Sequence, residues 1–519
     1  MATGRVPIES RLQFSPGLRR GVYVGLLIGV FLAMTVGVAV NPSPNPRFLY
    51  VLLVSAVCFA PVLWLDRLNG RFFLLAVYMA VHFQYFGFAD LMTALVGRAA
   101  TPNDAVLTES EMIILASLAG VLVGYLAAIG RSPRNQGEAG GKDWPFGIVV
   151  LLGTLFWIVG TGCLTYWQTF IITDRSNASL LKNISQLGPW LTTVFMGGQL
   201  IQPLSIMILA YAYAVYRRAW LLPMMLIVVG VQLVLGFVAD YKSEAMLAGL
   251  IVIAVKTYIE GKPPKAWLIG AFLFVMFVFP VFQAYRLEVR GEQGVTSADT
   301  LQNLGAVLEK SLEAQTKVKE GFGGAEYRVN SFWERASLKA SVDLLADGAG
   351  KTVPFQMGGT LTPILTAFLP RVFFPDKESI AVGQIFNKTF HISAVEDTYI
   401  SPSHVGEVYW NFGWAGTLLL MPAVGYLLGF IGARCAAYPV LSISRQMVMM
   451  ITIYSFVIRA EGSIATEVVV WMRSIVAIGI LHLVFARRTA GEPYLAAAIG
   501  RDVGADAAKA PTPFPNLLR

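Results

Sequence analysis

Apolar runs close to the roughly 20 residues that cross a bilayer recur along this chain. They fall near 21–40, 48–65, 72–97, 112–129, 146–170, 191–214, 220–239, 245–258, 266–283, 414–433, 446–458 and 467–485. The pattern predicts an all-α, polytopic membrane protein of about twelve transmembrane helices. Between 284 and 413 no run reaches spanning length. The implied divisions are helices 1–9 over 1–283, a large loop over 284–413, helices 10–12 over 414–486, and a tail over 487–519. The tail is rich in Ala, Gly and Pro and is expected to be disordered. Arg19 and Arg20 precede the first run as they would in a signal peptide. No small-residue cleavage site follows, so the run reads as an anchor.

The long loop is itself patterned. Residues 299–320 predict an amphipathic helix, with Leu301, Leu304, Leu308 and Leu312 at helical spacing. Residues 328–346 carry a second, weaker pattern. Gly358 and Gly359 precede an apolar run, Thr360 to Leu369, that is too short to span and predicts a re-entrant or interfacial piece.

Composition agrees with lipid as the main solvent. Of 519 residues, 55% are hydrophobic and 14% charged, against about 25% charged in soluble chains. The net charge of +8 fits basic loops against anionic lipid, and nucleic acid is not an expected partner. With the N-terminus inside, Arg5, Arg11, Arg19, Arg20, Arg67, Arg71, Arg131, Arg134, Lys142, Arg217, Arg218, Lys256, Lys262, Lys265, Arg434, Arg445, Arg487, Arg488, Arg501, Lys509 and Arg519 fall on the cytoplasmic side, against Arg47, Arg98, Arg175, Lys182, Lys242, Arg459 and Arg473 opposite. Basic residues then favour that side by about three to one, so both termini are expected in the cytoplasm and 284–413 outside. Cys58, Cys163 and Cys435 imply no disulfide framework.

Four places near the outer membrane edge carry candidate chemistry. Arg286 and Arg290 are four apart and share a face if the ninth helix continues. Two neighbouring guanidiniums suit a phosphate or pyrophosphate, or they snorkel to lipid headgroups. Arg371 and Lys377 sit in Pro370-Arg-Val-Phe-Phe-Pro-Asp-Lys377, where the prolines fix an extended turn, which also reads as an ordinary interfacial turn. Ser401-Pro402 resembles a helix start, a cap followed by Pro at the first position. On that helix His404, Glu407 and Asn411 share one face and offer a base and an anion site together, or a capping segment with a satisfied polar face. Arg459, Glu461, Glu467 and Arg473 surround the last exterior turn, as a site or as a structural ion pair. His82, His391 and His482 stand alone, and no Walker loop, Cys/His cluster or Asp-x-Asp motif occurs.

Residues Arg371 to Lys377, followed by Ser401-Pro402-Ser403, Gly406-Glu407, Tyr409, Asn411-Phe412-Gly413 and Gly416, resemble the Wzy-type oligosaccharide repeat-unit polymerases of bacteria. The specific likeness covers roughly residues 370–416. One pattern described for that family has two periplasmic loops with matched Arg-rich motifs; here only 284–413 is rich in candidates. The resemblance implies a GT-C-like glycosyltransferase of the bacterial inner membrane. Its substrates would be undecaprenyl-pyrophosphate-linked oligosaccharides, joined into O-antigen, capsule or exopolysaccharide without metal or cofactor. Membrane lipids and a chain-length regulator of the Wzz type are the expected partners. Glu407 or His404 would be the base. Arg286, Arg290, Arg371, Lys377, Arg459, Arg473 and Asn411 would bind pyrophosphate or glycan. The alternatives are an O-antigen ligase and a lipid-linked glycan transporter or flippase.

Overall fold

The computed structural model describes residues 14–40, 48–96, 107–131, 142–167, 177–216, 218–239, 242–274, 281, 285, 300, 302–321, 337–366, 382–393, 399–436 and 443–488. Nearly all of them are helical. In chain order the helices are α1 Pro16–Val40, α2 Phe48–Phe59, α3 Phe73–Phe83, α4 Ala89–Val96, α5 Glu109–Arg131, α6 Phe146–Tyr166, α7 Asn177–Tyr216, α8 Leu221–Ala239, α9 Lys242–Glu260 and α10 Lys265–Leu273. Beyond them come α11 Leu304–Gly321, α12 Lys339–Gly348, α13 Thr362–Thr366, α14 Val382–Phe390, α15 Ser403–Cys435, α16 Ile443–Thr452 and α17 Ile464–Phe485. Proline marks several starts: Pro16 opens α1, and Pro145 and Pro264 stand directly before α6 and α10.

Among the described residues seven helices are long and apolar enough to cross a membrane, and three shorter apolar helices accompany them. The chain is a multi-pass membrane protein. Where they are described, the apolar runs picked out in the sequence meet helices; of 266–283 only the part up to Phe274, with Val281, is described. Large side chains such as Leu151 and Ile158 on α6 and Leu483 and Val484 on α17 stay exposed, as lipid-facing positions must.

Hydrogen bonds sort the connecting segments into two ends. At one, the Phe14 N–H donates to the Asp66 carbonyl (2.8 Å) and the Tyr125 hydroxyl donates to the Arg71 carbonyl. Also at that end, a two-residue strand pairs Lys142 with Arg488 and Asp143 with Arg487. All these residues belong to the segments that basic-residue counting groups together, and we call this the basic end. At the far end, the Leu338 N–H donates to the Tyr85 carbonyl (3.2 Å), the Tyr85 hydroxyl to Glu461 Oε2 (3.2 Å), and Lys351 Nζ to Glu109 Oε2 (2.9 Å). Opposite ends of α3 and of α5 thus take part in the two separate sets of contacts.

Part of the long segment 284–413 is clamped to the far end. Lys339 on α12 is only 3% exposed. Its ammonium meets Asp343 at 2.8 Å and Glu111 of α5 at 3.8 Å, which offsets the cost of burying it. The amphipathic helix is present as α11; of the expected stripe Leu304 packs, but the buried face turns toward Val307 and Ser311. Val307 and Ser311 are buried, while Leu308 and Leu312 are exposed. The run after Gly358 forms a short 3₁₀ turn, Gly359–Leu361, and then α13, which lies against α17.

The tightest packing joins α5 to α15. A Cβ on Gly124 would run into the Pro422 carbonyl oxygen, and one on Gly425 into that of Val121. Gly429 sits on Tyr125 in the same way, so the backbones touch with nothing between them. Small residues spaced by four are the usual means of such close approach in lipid, where van der Waals packing replaces the hydrophobic drive.

Candidate functional site

The site begins with a break in a helix. Gly413 takes φ 58 and ψ −143 inside α15, a conformation that side-chain-bearing residues rarely adopt. The break frees carbonyls one turn earlier. They do not go unsatisfied: the Gln356 N–H donates to the Trp410 carbonyl and the Met357 N–H to that of Asn411, both at 3.0 Å. The loop so captured then turns through Gly358, whose φ is 89 and whose N–H donates to Asn411 Oδ1 at 3.0 Å.

This loop delivers Thr360 to α15. Its hydroxyl donates to Glu407 Oε1 at 2.8 Å, and Asn411 Nδ2 donates to Thr360 Oγ1 at 2.7 Å and to the Glu407 carbonyl at 2.8 Å. The other carboxylate oxygen, Glu407 Oε2, accepts the N–H of Ile464, with the Ala465 N–H also contributing. Glu407 therefore sits at the N-terminus of α17, where two backbone N–H groups and the helix dipole favour a negative charge. Glu407 and Asn411 are fully buried, and Thr360 is nearly so. Three segments distant in the chain meet on one carboxylate.

His404 faces elsewhere. Its ring lies 4.7 Å from that of Phe456, 6.4 Å from Tyr78 and 6.5 Å from His82. Neither ring nitrogen has a hydrogen-bond partner, and neither does the Tyr78 hydroxyl. His82, expected to stand alone, is instead part of this buried group, with Nδ1 at 2.9 Å from the Tyr78 carbonyl. Phe456 belongs to a π-helical turn, Ile453–Val457, and a second one, Gln84–Phe88, follows α3. Such turns concentrate at functional sites. The helix start also differs from expectation. It is Ser403, in the left-handed region at φ 65, that accepts the Gly406 N–H on its hydroxyl (3.2 Å), while the expected cap, Ser401, accepts the Ser403 N–H at 3.4 Å and Pro402 lies before the helix.

The rim is the turn between α16 and α17. Arg459 Nη2 donates to the Tyr454 hydroxyl at 2.7 Å, with the guanidinium 4.8 Å from the centre of that ring. Glu467 lies in the first turn of α17, and Arg473 is half-buried two turns further on. Tyr399 stands ahead of α15 with one side exposed and its hydroxyl against Ser463 and Thr466. Burial of that hydroxyl raises its pKa, and the carboxylates of Glu467 and Glu407 act in the same direction.

The structure thus brings Glu407 and Asn411 into one network, places His404 on the same helix in a separate buried group, and sets Arg459 at the rim. Arg286, Arg290, Arg371 and Lys377 lie outside the described residues. Thr360, His82 and Tyr78 were not singled out from sequence. Of these, Tyr78 and His82 share a helix face at i and i+4, the signal by which they could have been found. Comparison with family models, curated proteins and solved structures finds no match for this chain.

Proposed function

We propose that the chain is a membrane glycosyltransferase that polymerises undecaprenyl-pyrophosphate-linked oligosaccharide repeat units at the periplasmic face of the bacterial inner membrane. The observation that carries this reading is the Glu407–Thr360–Asn411 network: a buried polar site at the end of the bundle opposite the basic loops. In this reading all twelve apolar runs cross the membrane in a GT-C-like arrangement. Both termini and the basic end face the cytoplasm, so the network lies beneath the periplasmic surface.

The reaction joins two lipid-linked glycans. A hydroxyl oxygen of the acceptor unit bonds to the anomeric carbon of the donor. The bond from that carbon to the pyrophosphate oxygen breaks, and its electron pair leaves with the lipid pyrophosphate. Guanidiniums fixed in place stabilise that developing charge. Arg286, Arg290 and Arg371, with Lys377, Arg459 and Arg473, are the cations for this role. Of the two base candidates, Glu407 already accepts three hydrogen bonds, and His404 is enclosed by Phe456, Tyr78 and His82. This favours Glu407 as the residue that orients the loop and α17.

A ligase would share this chemistry, and product length separates the two. We expect a strain lacking this protein to display single repeat units on its surface glycan, read as band spacing on a gel. Full-length chains left on carrier lipid would instead assign it as a ligase. A transporter is disfavoured by the position of the network at one end. Gln202 and Gln232, buried between α7 and α8, hydrogen-bond each other.

A further inference from the structure

The network around Glu407 accounts for the start of α17 without Glu467. Ser463 Oγ accepts the Thr466 N–H at 3.2 Å, Glu407 takes the Ile464 N–H, and the Glu467 N–H donates to the Ser463 carbonyl at 3.0 Å. The Glu467 carboxylate caps nothing. It is nonetheless 6% exposed, and its Oε2 is buried with no hydrogen-bond partner. Its charged neighbours are Arg459 and Glu461 from the α16–α17 turn. Tyr399, from the segment before α15, interacts with Glu467 and Glu407 alike. Gly462 lets the carboxylate pack close against the α16–α17 turn, since a Cβ there would stand 2.7 Å from Oε1.

A buried carboxylate oxygen without donors is costly, so natural structures rarely keep one without a use. Hydroxyl groups are the donors that would satisfy it, and a sugar presents several. Glu407 cannot serve in the same way, because its oxygens are already engaged.

We propose that Glu467 is the proton acceptor of the site, binding the attacking hydroxyl of the acceptor sugar. This rests on the polymerase reading. As the hydroxyl oxygen bonds to the donor's anomeric carbon, its proton passes to the Glu467 carboxylate, and the electron pair of the breaking bond leaves on the pyrophosphate. Arg459 beside it favours the charged form of the carboxylate against the cost of burying it. The proton is afterwards released to water at the rim.

The test uses the full-length protein in vesicles with lipid-linked repeat units, following chain growth across pH for the wild type, Glu467→Gln and Glu467→Asp. Thermal melting checks that each variant is folded. A base must be deprotonated, so the wild-type rate falls as pH drops through its pKa. Glu467→Gln is expected to lower kcat by about 10²–10⁴-fold with little change in KM and to abolish that acid limb. Glu467→Asp, which keeps a carboxylate in a changed position, is expected to recover part of the rate and to retain an acid limb at a shifted pH. Should Glu467→Gln not fold, the aspartate variant decides, because a merely structural carboxylate would leave the position of the limb unmoved. A Glu467→Gln rate within about threefold of wild type, or an unchanged acid limb, overturns the assignment and leaves the polymerase standing. No chain growth by the wild type removes both.

Discussion

Gly425→Val will leave almost no folded protein in the membrane. The glycine lies where α15 crosses α5, and a Cβ there would collide with the Val121 backbone carbonyl. Backbone cannot rotate away as a side chain would. The helices must separate, and Gly124 and Gly429 hold the same seam closed on either side. Overpacking a close contact costs about 1–3 kcal/mol even where neighbours yield, and here the neighbour is rigid, so about 3 kcal/mol or more is expected. In a marginally stable protein that is a large share of the total. The check is the yield and melting temperature of purified protein, with Gly130→Val as the control. Gly130 is on α5 too, but nothing lies within 4 Å of the added Cβ. Equal behaviour of the two variants would mean that the seam is not as close as the structure has it.

Glu407→Ala is expected to lose both stability and activity. The substitution strips the Ile464 N–H and the Thr360 hydroxyl of their acceptor in a site with no water access. Each of the two orphaned buried donors costs about 1–3 kcal/mol, so a loss of about 2–6 kcal/mol is expected. The loss is also local. With Glu407 gone, the loop at 356–361 and the start of α17 have no shared anchor, and Arg459 and Glu467 at the rim lose their fixed position. Thr360→Val removes both the hydrogen bond to Glu407 and the one from Asn411, and should cost about 1–3 kcal/mol, less than Glu407→Ala. Denaturant midpoints of the two variants give the ratio, and chain growth gives the second readout. Full stability and full chain growth in Glu407→Ala would contradict the network.

The helices were legible because hydropathy reports the solvent. A run such as 112–129 must be apolar whatever it packs against, and α5 is there. Partners are not written that way. Leu308 and Leu312 looked like the packing face of α11, yet Val307 and Ser311 are the buried ones. At a membrane surface an exposed leucine can face lipid, so periodicity alone cannot separate protein from bilayer. The seam of Gly124, Gly425 and Gly429 was missed for a related reason. Glycine is frequent in membrane helices, and only the facing backbone marks which ones are in contact.

The site was half legible. Glu407 and Asn411 stood out as polar residues on one face at the outer edge. Thr360 joins them across 47 residues and Ile464 across 57, pairings that no local pattern encodes. Ser401-Pro402 pointed to the right turn, but the helix starts at Ser403, because a left-handed residue there lets its own hydroxyl cap the Gly406 N–H. His82 looked solitary only because its companion, His404, is on a distant helix.

The central claim is best tested by giving the purified protein undecaprenyl-pyrophosphate-linked repeat units from its own host, with chelator present and no nucleotide, and resolving the products on a gel. The account predicts a ladder of glycans rising by one repeat unit, lost when Arg286 or Arg371 is replaced by alanine. Substrate that stays a single unit, or crosses the vesicle bilayer unjoined, would contradict it.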